Sequence, residues 1–400
     1  MRTIRIGMLT SAALLAEPPP APIESFTEVV PDPDDRLRSW QYDSNAWYAP
    51  FAGAIHAGGD TFYYFTLASG TTSRTLRVWH TNNRGATWAQ VATLVVRYLD
   101  WCYLPHVHDG KIWICHNTSD TEGLIANLDL SDHTWGTPSP AATNPEGSGT
   151  LFFRNRMMVR PDGTFVVVGA DVIQNEGDTS SRRVSVRRYD PDANEWLSTH
   201  VFRADNLEAV DDDPLGSCLD DTGRVHIIYR GHGNTSVGRH VCYTTSNEFG
   251  NSSIVSSQHW VRLQTDPIVY GQQIIYPFAD DLQYLRYAYA TNEDNPSWNV
   301  AVLHEAGTWW ASYPAVFVRE GYLYFLRITE FFRHRSAGSP WDLVSTVTHT
   351  PEPDSLASQK GLAHDSDNDR YVRLVQNNTR FYQSDPVALP AEVDEPDSGE

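Results

Sequence analysis

The chain has 400 residues, of which 40% are hydrophobic and 12% aromatic, so it can bury a sizeable core and is not a disordered polypeptide. Its formal net charge of -20 repels phosphate backbones, which argues against nucleic acid as a partner. No apolar run approaches the length of a transmembrane helix, so no membrane span is expected.

Residues 1–38 are interpreted as an N-terminal arm. Two arginines, Arg2 and Arg5, precede a mildly apolar run that ends at Ala16, and a proline-rich spacer follows it. This outline resembles a secretory signal with cleavage near Ala16. Because the apolar run is short and interrupted, a retained arm is the interpretation we favour, with cleavage as the alternative.

After the arm, a module of about fifty residues recurs about seven times, as in repeat architectures. Each copy has an apolar strand, a tight turn and two further strands, and most copies close near a tryptophan. The turns lie at Gly58-Gly59, Asp109-Gly110, Asp162-Gly163, Thr222-Gly223, Gly271-Gln272, Glu320-Gly321 and Asp367-Asn368. The closing tryptophans are Trp88, Trp135, Trp196, Trp260, Trp298 and Trp341; the seventh copy ends near Tyr382.

Short strands and turns at this period are typical of a β-propeller, in which each copy forms one blade of a ring. We therefore predict an all-β chain with a single β-propeller over residues 39–386. Seven blades are expected, and six or eight are not excluded by the pattern. A fourth, outermost strand is weakly signalled, and we hypothesise that one blade borrows it from the N-terminal segment. Residues 387–400 are expected to form an acidic, solvated tail.

One turn carries a recognisable motif. Thr81-Asn-Asn-Arg-Gly-Ala-Thr-Trp88 resembles the Asp-box, or BNR repeat, of sialidases and related propellers, with Asn83 where aspartate is usual. Weaker relatives are seen at Leu130 to Trp135 and at Tyr189 to Trp196. In such a turn the Asx side chain bonds nearby backbone amides, so the motif is structural and not catalytic.

The third copy is similar to another sialidase motif. Phe153-Arg154-Asn155-Arg156 resembles the F/Y-R-I-P segment, and this resemblance implies that Arg154 grips a sugar carboxylate. Tyr313 stands where such enzymes carry a nucleophilic tyrosine. Ile-Pro is replaced and the segment lies in the third blade, so a complete sialidase site is not assembled.

The starts of the innermost strands are expected to face a central funnel. Arginine neutralises a uronate carboxylate while tyrosine or histidine moves a proton, and propeller lyases of the BNR-like type use this set. Catalytic candidates are therefore Arg154, Tyr313 and His106. Candidate ligand-binding residues are Tyr48, Tyr103, Arg154, Arg156, Asp212, Asp213 and Lys360, and Asp266 is a further candidate for the lining.

Metal and disulfide chemistry is weakly indicated. Asp211, Asp212 and Asp213 form an oxygen-rich run that lacks the spacing of a calcium loop, so a solvated loop is preferred to Ca²⁺ and no cofactor is expected. His106, His108 and nearby His116 offer no obvious metal geometry. The four cysteines are interpreted as buried thiols, with a Cys102–Cys115 disulfide as the alternative.

Three function classes remain. The first is a non-catalytic propeller that recognises a glycan or receptor within a larger assembly; residues 4–15 are similar to short N-terminal segments of phage minor tail or spike proteins. The second is a secreted polysaccharide-degrading enzyme, either a propeller lyase or a sialidase-like hydrolase. The third is a protein-binding scaffold. We favour the first, located outside the cell or on a virion, because no catalytic motif is complete.

Overall fold

The structure is a computed structural model that describes residues 23–29, 54–68, 74–83, 87–96, 105–119, 121–143, 151–152, 157–174, 180–202, 213–231, 237–256, 266–279, 284–305, 315–319, 322–327, 330–334, 342–346, 348–350, 361–365, 370–377, 380–384 and 387–388. In the first strand and in the last two sheets the backbone is described, together with the side chain of Leu323. Within these ranges no helix is long and apolar enough to span a membrane.

The described strands form seven sheets, and we number the sheets in chain order. The chain starts with β1 (Ile23–Val29). Sheet one contains β2 (Ala54–His56), β3 (Phe62–Ala68), β4 (Arg74–Thr81) and β5 (Ala89–Val96). Sheet two contains β6 (His106–His108), β7 (Lys111–Asn117), β8 (Glu122–Asp129) and β9 (Ala142–Thr143). Sheet three contains β10 (Leu151–Phe152), β11 (Met157–Val159), β12 (Phe165–Gln174), β13 (Ser180–Asp190) and β14 (Glu195–Val201).

Sheet four contains β15 (Asp213–Leu219), β16 (Val225–Gly231), β17 (Val237–Tyr243) and β18 (Ser253–Ser256). Sheet five contains β19 (Ile268–Tyr270), β20 (Gln273–Ala279), β21 (Tyr284–Thr291) and β22 (Asn299–Glu305). Sheet six contains β23 (Ala315–Arg319), β24 (Tyr322–Arg327), β25 (Glu330–His334) and β26 (Asp342–Thr346). Sheet seven joins β1 to β27 (Thr348–Thr350), β28 (Gly361–Asp365), β29 (Arg370–Asn377), β30 (Arg380–Ser384) and β31 (Val387–Ala388).

In sheets one, two, four, five and six the strands pair with their neighbours in chain order, as in a four-stranded meander. In sheet three β10 and β11 both pair with β12, and in sheet seven the order is β27-β1-β30-β29-β28. The first strands touch from sheet to sheet: β6 contacts β11, β11 contacts β15, β15 contacts β19 and β19 contacts β23. The ring closes where β2 of sheet one contacts β28 of sheet seven. The first strands are therefore innermost, and the protein is an all-β propeller with seven sheets, as the repeat predicts.

The N-terminal strand completes the last sheet. β1 pairs antiparallel with β30 in a register that places Phe26 opposite Ser384 and Val29 opposite Phe381. The hypothesis that one blade borrows its outer strand from the N-terminal segment is therefore confirmed. The other residues of the arm and those of the acidic tail beyond Ala388 lie outside the described residues.

The core lies between neighbouring sheets. Apolar side chains of sheets one, two and three form one cluster, which includes Leu76, Ile112 and Phe165. Half-buried Trp135 and Trp196 pack against this cluster, which confirms that these closing tryptophans belong to the core. Smaller clusters join sheets three and four, four and five, and five and six.

Side chains stabilise the turns. In the turn of the Asp-box-like motif, Asn83 Oδ1 accepts the backbone N–H of Thr87 at 3.0 Å, as expected for an Asx residue in this place. Between β11 and β12, Asp162 Oδ1 accepts the N–H of Thr164 at 3.0 Å, and Gly163 has a φ of 83°. Glycine adopts this left-handed conformation without steric cost, so it closes the hairpin.

Four hydrogen bonds between neighbouring sheets involve the connection between a third and a fourth strand. In three of them the connection belongs to the later sheet, and in the bond between Trp196 and Pro140 it belongs to sheet two. These contacts are Tyr63 Oη with His133 Nε2 (2.9 Å), Trp196 Nε1 to Pro140 O (2.8 Å), Arg160 Nη1 to Asn247 Oδ1 (2.8 Å) and Arg224 Nη2 to Asn292 Oδ1 (3.0 Å). They fix the angle between neighbouring sheets with hydrogen bonds as well as apolar packing.

Cys115 is a free, buried thiol, which rules out the alternative disulfide with Cys102; Cys102 itself lies outside the described residues. Its Sγ atom lies 3.8 Å from Sδ of Met157, and burial raises the pKa of the thiol above its usual range. The residue therefore acts as a small apolar side chain between sheets two and three.

We expect deletion of residues 1–29 to lower the Tm by about 10 °C, because β1 loses four residue pairs with β30 and three with β27. Each pair contributes about 1 kcal/mol, and 1 kcal/mol corresponds to about 1.5 °C in a domain of about 350 residues. The deletion also exposes the β30 edge, which favours aggregation. Deletion of residues 1–21 leaves β1 intact and is the matched control. Differential scanning calorimetry measures both, and equal Tm values for the two deletions would contradict the role of β1.

Candidate functional site

Strand direction gives the ring two distinct faces. Each first strand begins after a connection from the preceding sheet and ends at a tight turn such as Asp109-Gly110. The tight turns therefore lie on one face, the turn face, and the connections between sheets lie on the other, the opening face. Because the first strands line the centre, ligands of a propeller reach the central channel from such a face.

The predicted site residues belong in sequence to the opening face, at or just before the first strands. Seven of the nine lie outside the described residues and stay predictions: Tyr48, Tyr103, Arg154, Arg156, Asp212, Tyr313 and Lys360. Two are described. His106 begins β6 and is half-buried, and Asp213 begins β15 with its backbone opposite Arg230. Their strands are separated by β11 of sheet three.

The innermost chain of sheet three is described as two separate strands, β10 and β11. Phe152 pairs with Ala170 and Met157 pairs with Val167. Between these two pairs β12 has two residues, numbers 168 and 169, whereas the inner chain has four, numbers 153–156. Regular pairing needs equal numbers on both strands, so the inner chain has two surplus residues here. Extra residues of this kind commonly re-aim side chains next to active sites and binding sites.

A buried ion pair lies on the strands behind this interruption. Asp171 on β12 and Arg187 on β13 are both 0% exposed, and Arg187 Nη2 donates to Asp171 Oδ2 at 2.7 Å. Ser185 links them, because its Oγ donates to Asp171 Oδ1 at 3.0 Å and accepts Arg187 Nη1 at 2.9 Å. Asp171 also stands opposite Leu151 in the ladder, so the ion pair holds the strand against which the inner chain is registered.

A second polar contact joins two inner strands. Oδ1 of Asp266, just before β19, accepts the backbone N–H of Ser217 on β15 at 3.1 Å. Asp266 therefore links the inner chains of sheets four and five. Burial, with a smaller effect of this carboxylate, raises the pKa of Tyr276 above its usual range, so Tyr276 is a neutral core residue.

The described residues offer no metal centre. Within them, no group of three or more His, Cys, Asp and Glu side chains could hold a metal ion. Asp211 and Asp212 lie outside these residues, so the interpretation of that run stays a prediction. His116 is 2% exposed, and burial lowers its pKa to about 4 against an opposing backbone hydrogen bond at Asn117. The ring is therefore neutral at physiological pH.

Sequence reasoning missed the Asp171–Arg187 pair. Asp171 follows the apolar run of β12, and β13 contains several arginines, which are expected on a solvated strand. The signal that was present is the alternation of Ser185, Arg187 and Tyr189 on one face of β13, opposite the valines of the other face. Such alternation normally indicates that the polar face is exposed to solvent, so it does not predict a strand that is buried on both faces.

No family model matches the sequence, and no curated protein matches it either. A Dyadobacter fermentans protein of unknown function is similar in structure, with a TM-score of 0.51 and 13% identity over 80% of this chain and 96% of its own. An α-L-arabinanase from Penicillium chrysogenum has a TM-score of 0.47 and 9% identity over 84% and 92%. An ulvan lyase, a polysaccharide lyase, has a TM-score of 0.40 and 10% identity over 85% and 93%. At such identities the likeness concerns the fold alone.

We expect Asp171→Asn to lower the free energy of unfolding by about 3 kcal/mol, because it leaves the buried Arg187 charge without its counter-ion. Asp162→Asn is the matched control, since Asp162 is exposed and faces Arg188 at 3.8 Å, a surface pair worth less than about 1 kcal/mol. Urea unfolding of the two variants measures the difference. Equal losses would show that the buried pair does not stabilise sheet three.

Proposed function

We propose that the protein recognises an anionic glycan at the opening face, as a binding component without catalysis in a larger assembly such as a virion. The observation that carries the proposal is the interruption of the innermost strand of sheet three, where two surplus residues fall in the segment that contains Arg154 and Arg156. Arginine holds carboxylates and sulfates with two parallel hydrogen bonds, which suits acidic sugars.

The charge of the chain makes such a site selective. With a net charge of -20, the protein repels an anionic ligand at long range. At physiological ionic strength this repulsion is screened beyond about 8 Å, so the contact is decided by the charges within that distance. Under this proposal Arg154 and Arg156 supply the local positive charge that binds an acidic sugar in spite of the negative net charge.

The backing of the site supports specific binding. Recognition groups need a rigid support to keep their geometry. The Asp171–Ser185–Arg187 network is fully buried and spans β12 and β13, so it resists movement of the strands on which the inner chain lies.

One observation favours polysaccharide cleavage as a second candidate. His106 begins β6, and β6 contacts β11, the strand that directly follows residues 153–156. In this second candidate His106 abstracts a proton next to the carboxylate of a uronate, and Arg154 neutralises that carboxylate. The binding and cleavage proposals differ in products, so one experiment separates them.

The attachment of β1 supports a role in an assembly. β30 ends on the turn face at Ser384, and β1 pairs antiparallel with it, so Ile23 is the end of β1 nearest that face. The residues before Ile23 thus join the ring on the side away from the opening. This leaves the opening face accessible when the N-terminal segment engages a partner.

The test uses the purified chain with immobilised alginate, polygalacturonate, heparin and polysialic acid. We expect retention on at least one of them without new reducing ends and without the ultraviolet absorbance of unsaturated uronates. Absorbance would assign a lyase, and reducing ends alone a hydrolase. Failure to bind any acidic polysaccharide would reject the proposed ligand class.

Arg154→Ala is expected to reduce retention at least tenfold, the effect of losing about 1.4 kcal/mol of charge-assisted hydrogen bonding. Arg77→Ala, on β4, removes the same charge from the third strand of sheet one and serves as the control. The affinity of both variants is measured by surface plasmon resonance. Equal affinities in the two variants and the unchanged chain would exclude Arg154 from the site.

A further inference from the structure

Two histidines form a buried pair in sheet four. His226 on β16 and His240 on β17 are both 0% exposed, and their rings stack with centroids 5.3 Å apart. His226 Nδ1 lies 3.1 Å from His240 Nε2, which is hydrogen-bond distance. Only one proton fits between two imidazole nitrogens at this distance, so one ring donates to the other.

One polar group lies at each end of the histidine pair. His226 Nε2 faces Asp220 Oδ2 at 3.7 Å, an electrostatic contact with a group that only accepts. His240 Nδ1 is 3.4 Å from Ser253 Oγ, which accepts the indole N–H of Trp298 from sheet five at 3.2 Å. In the neutral pair, donation therefore runs from Trp298 through Ser253 and both histidines toward Asp220.

Arg224 and Asp294 close the turn-face side of this region. Arg224 donates Nε to Asp220 Oδ2 at 2.7 Å and Nη1 to Asp294 Oδ1 of sheet five at 3.0 Å. Burial raises the pKa of Asp220, but the donors His226, Thr222 and Arg224 outweigh this effect and hold it far below its usual range. The carboxylate is therefore charged throughout mild acid.

Two thiols complete the surroundings of the pair. Cys218 on β15 and Cys242 on β17 stand on either side of His226 in the strand ladder. Burial, followed by the effect of Asp294, raises the pKa of Cys242 to about 12. Cys242 therefore stays neutral and supplies no compensating negative charge.

The pair accommodates one added proton and not two. With one added proton, His240 is protonated on Nδ1, which faces Ser253, and its Nε2 accepts. His226 then carries a proton on both nitrogens. Its Nδ1–H donates to His240 Nε2, and its Nε2–H faces the Asp220 carboxylate. A second proton would place two N–H groups against each other across 3.1 Å. We propose that the joint between sheets four and five is acid-sensitive, because the folded chain excludes this second proton and the unfolded chain binds it.

The direction of the effect follows from linkage. Burial, and then the neighbouring His226, lower the pKa of His240 well below its ordinary value. An unfolded histidine takes up its proton as the pH falls below about 6.5, and the folded His240 does not. The stabilisation is therefore complete above about pH 6.5 and is lost below it, with the unfolding constant rising about tenfold per pH unit for one proton.

The same joint includes a contact between inner strands. Asp266 of sheet five accepts the N–H of Ser217 of sheet four, and Ser217 directly precedes Cys218, which stands opposite His226 in the ladder. Loosening the joint in acid therefore frees the Ser217 amide on the inner strand. The proposal concerns the joint itself and does not depend on which ligand binds.

The test compares unfolding constants from urea titrations of the full chain between pH 5.0 and 7.5. Below pH 6.5 the unfolding constant of the unchanged chain is expected to rise about tenfold more per pH unit than that of His240→Gln, because the variant lacks one linked proton. His200→Gln is the control, since His200 lies half-buried on β14 outside the pair. His116 contributes equally to all three proteins, and most carboxylates titrate below this range.

Equal pH dependence in His240→Gln and the unchanged chain would overturn the proposal. If the variant does not fold, histidine-ring NMR of the unchanged chain decides instead. A His226–His240 pair that takes up one proton between pH 7.5 and 5.0 supports the proposal, and uptake of two contradicts it. Amide exchange at Ser217, normalised to its intrinsic rate, is expected to lose protection toward pH 5.0 only when His240 is present.

Discussion

The closure of the ring is the constraint on which the rest of the structure depends. Each sheet has two apolar faces, and neither is buried unless a neighbouring sheet stands on each side. In an open row the outer faces of sheets one and seven would meet water. The contact between β2 and β28 removes both exposed faces at once, and the pairing of β1 with β30 joins the two halves of the chain through backbone hydrogen bonds. Closure thus links residues more than 300 positions apart in sequence, which gives the fold its cooperativity.

Closure also divides the work between the two faces. On the turn face, side chains such as Asp162 and Asn83 accept backbone hydrogen bonds within their own hairpins. Arg160 and Arg224 donate hydrogen bonds from one sheet to the next. These contacts set the angle between sheets, which a closed ring of seven must keep nearly constant. The connections between sheets differ in sequence from copy to copy. A scaffold that is fixed on one face leaves the other for recognition.

The sequence predicts the part of this structure that repeats. Gly and Asp at the hairpins, the apolar second strands and the tryptophans that pack on the core follow from turn chemistry and alternation, and they locate all seven sheets. The outermost strands are harder to predict, because a strand such as β14 is half-exposed and its alternation is weak. The site is the hardest part, since residues such as Arg154 lie in connections without a period. Buried charges are difficult to predict for another reason. In the sequence, Asp171 and Arg187 look like any solvent-exposed aspartate and arginine. Only the strand register, which brings them to 2.7 Å from each other, makes them a buried ion pair.

The joints of the ring differ in their chemistry, and this matters for what the ring does. Arg160 holds sheet four with a guanidinium, which keeps its charge at every physiological pH. Sheet five is held by Arg224 as well, but beside the stacked pair of His226 and His240. A buried apolar contact in place of His226 and His240 would be at least as stable at neutral pH, because apolar replacements of buried polar pairs often cost nothing. What the proposed exclusion of a second proton would add is a dependence on pH at the joint between sheets four and five. The inner strands β15 and β19 meet at this joint, so a weaker joint would act first on the contact between them.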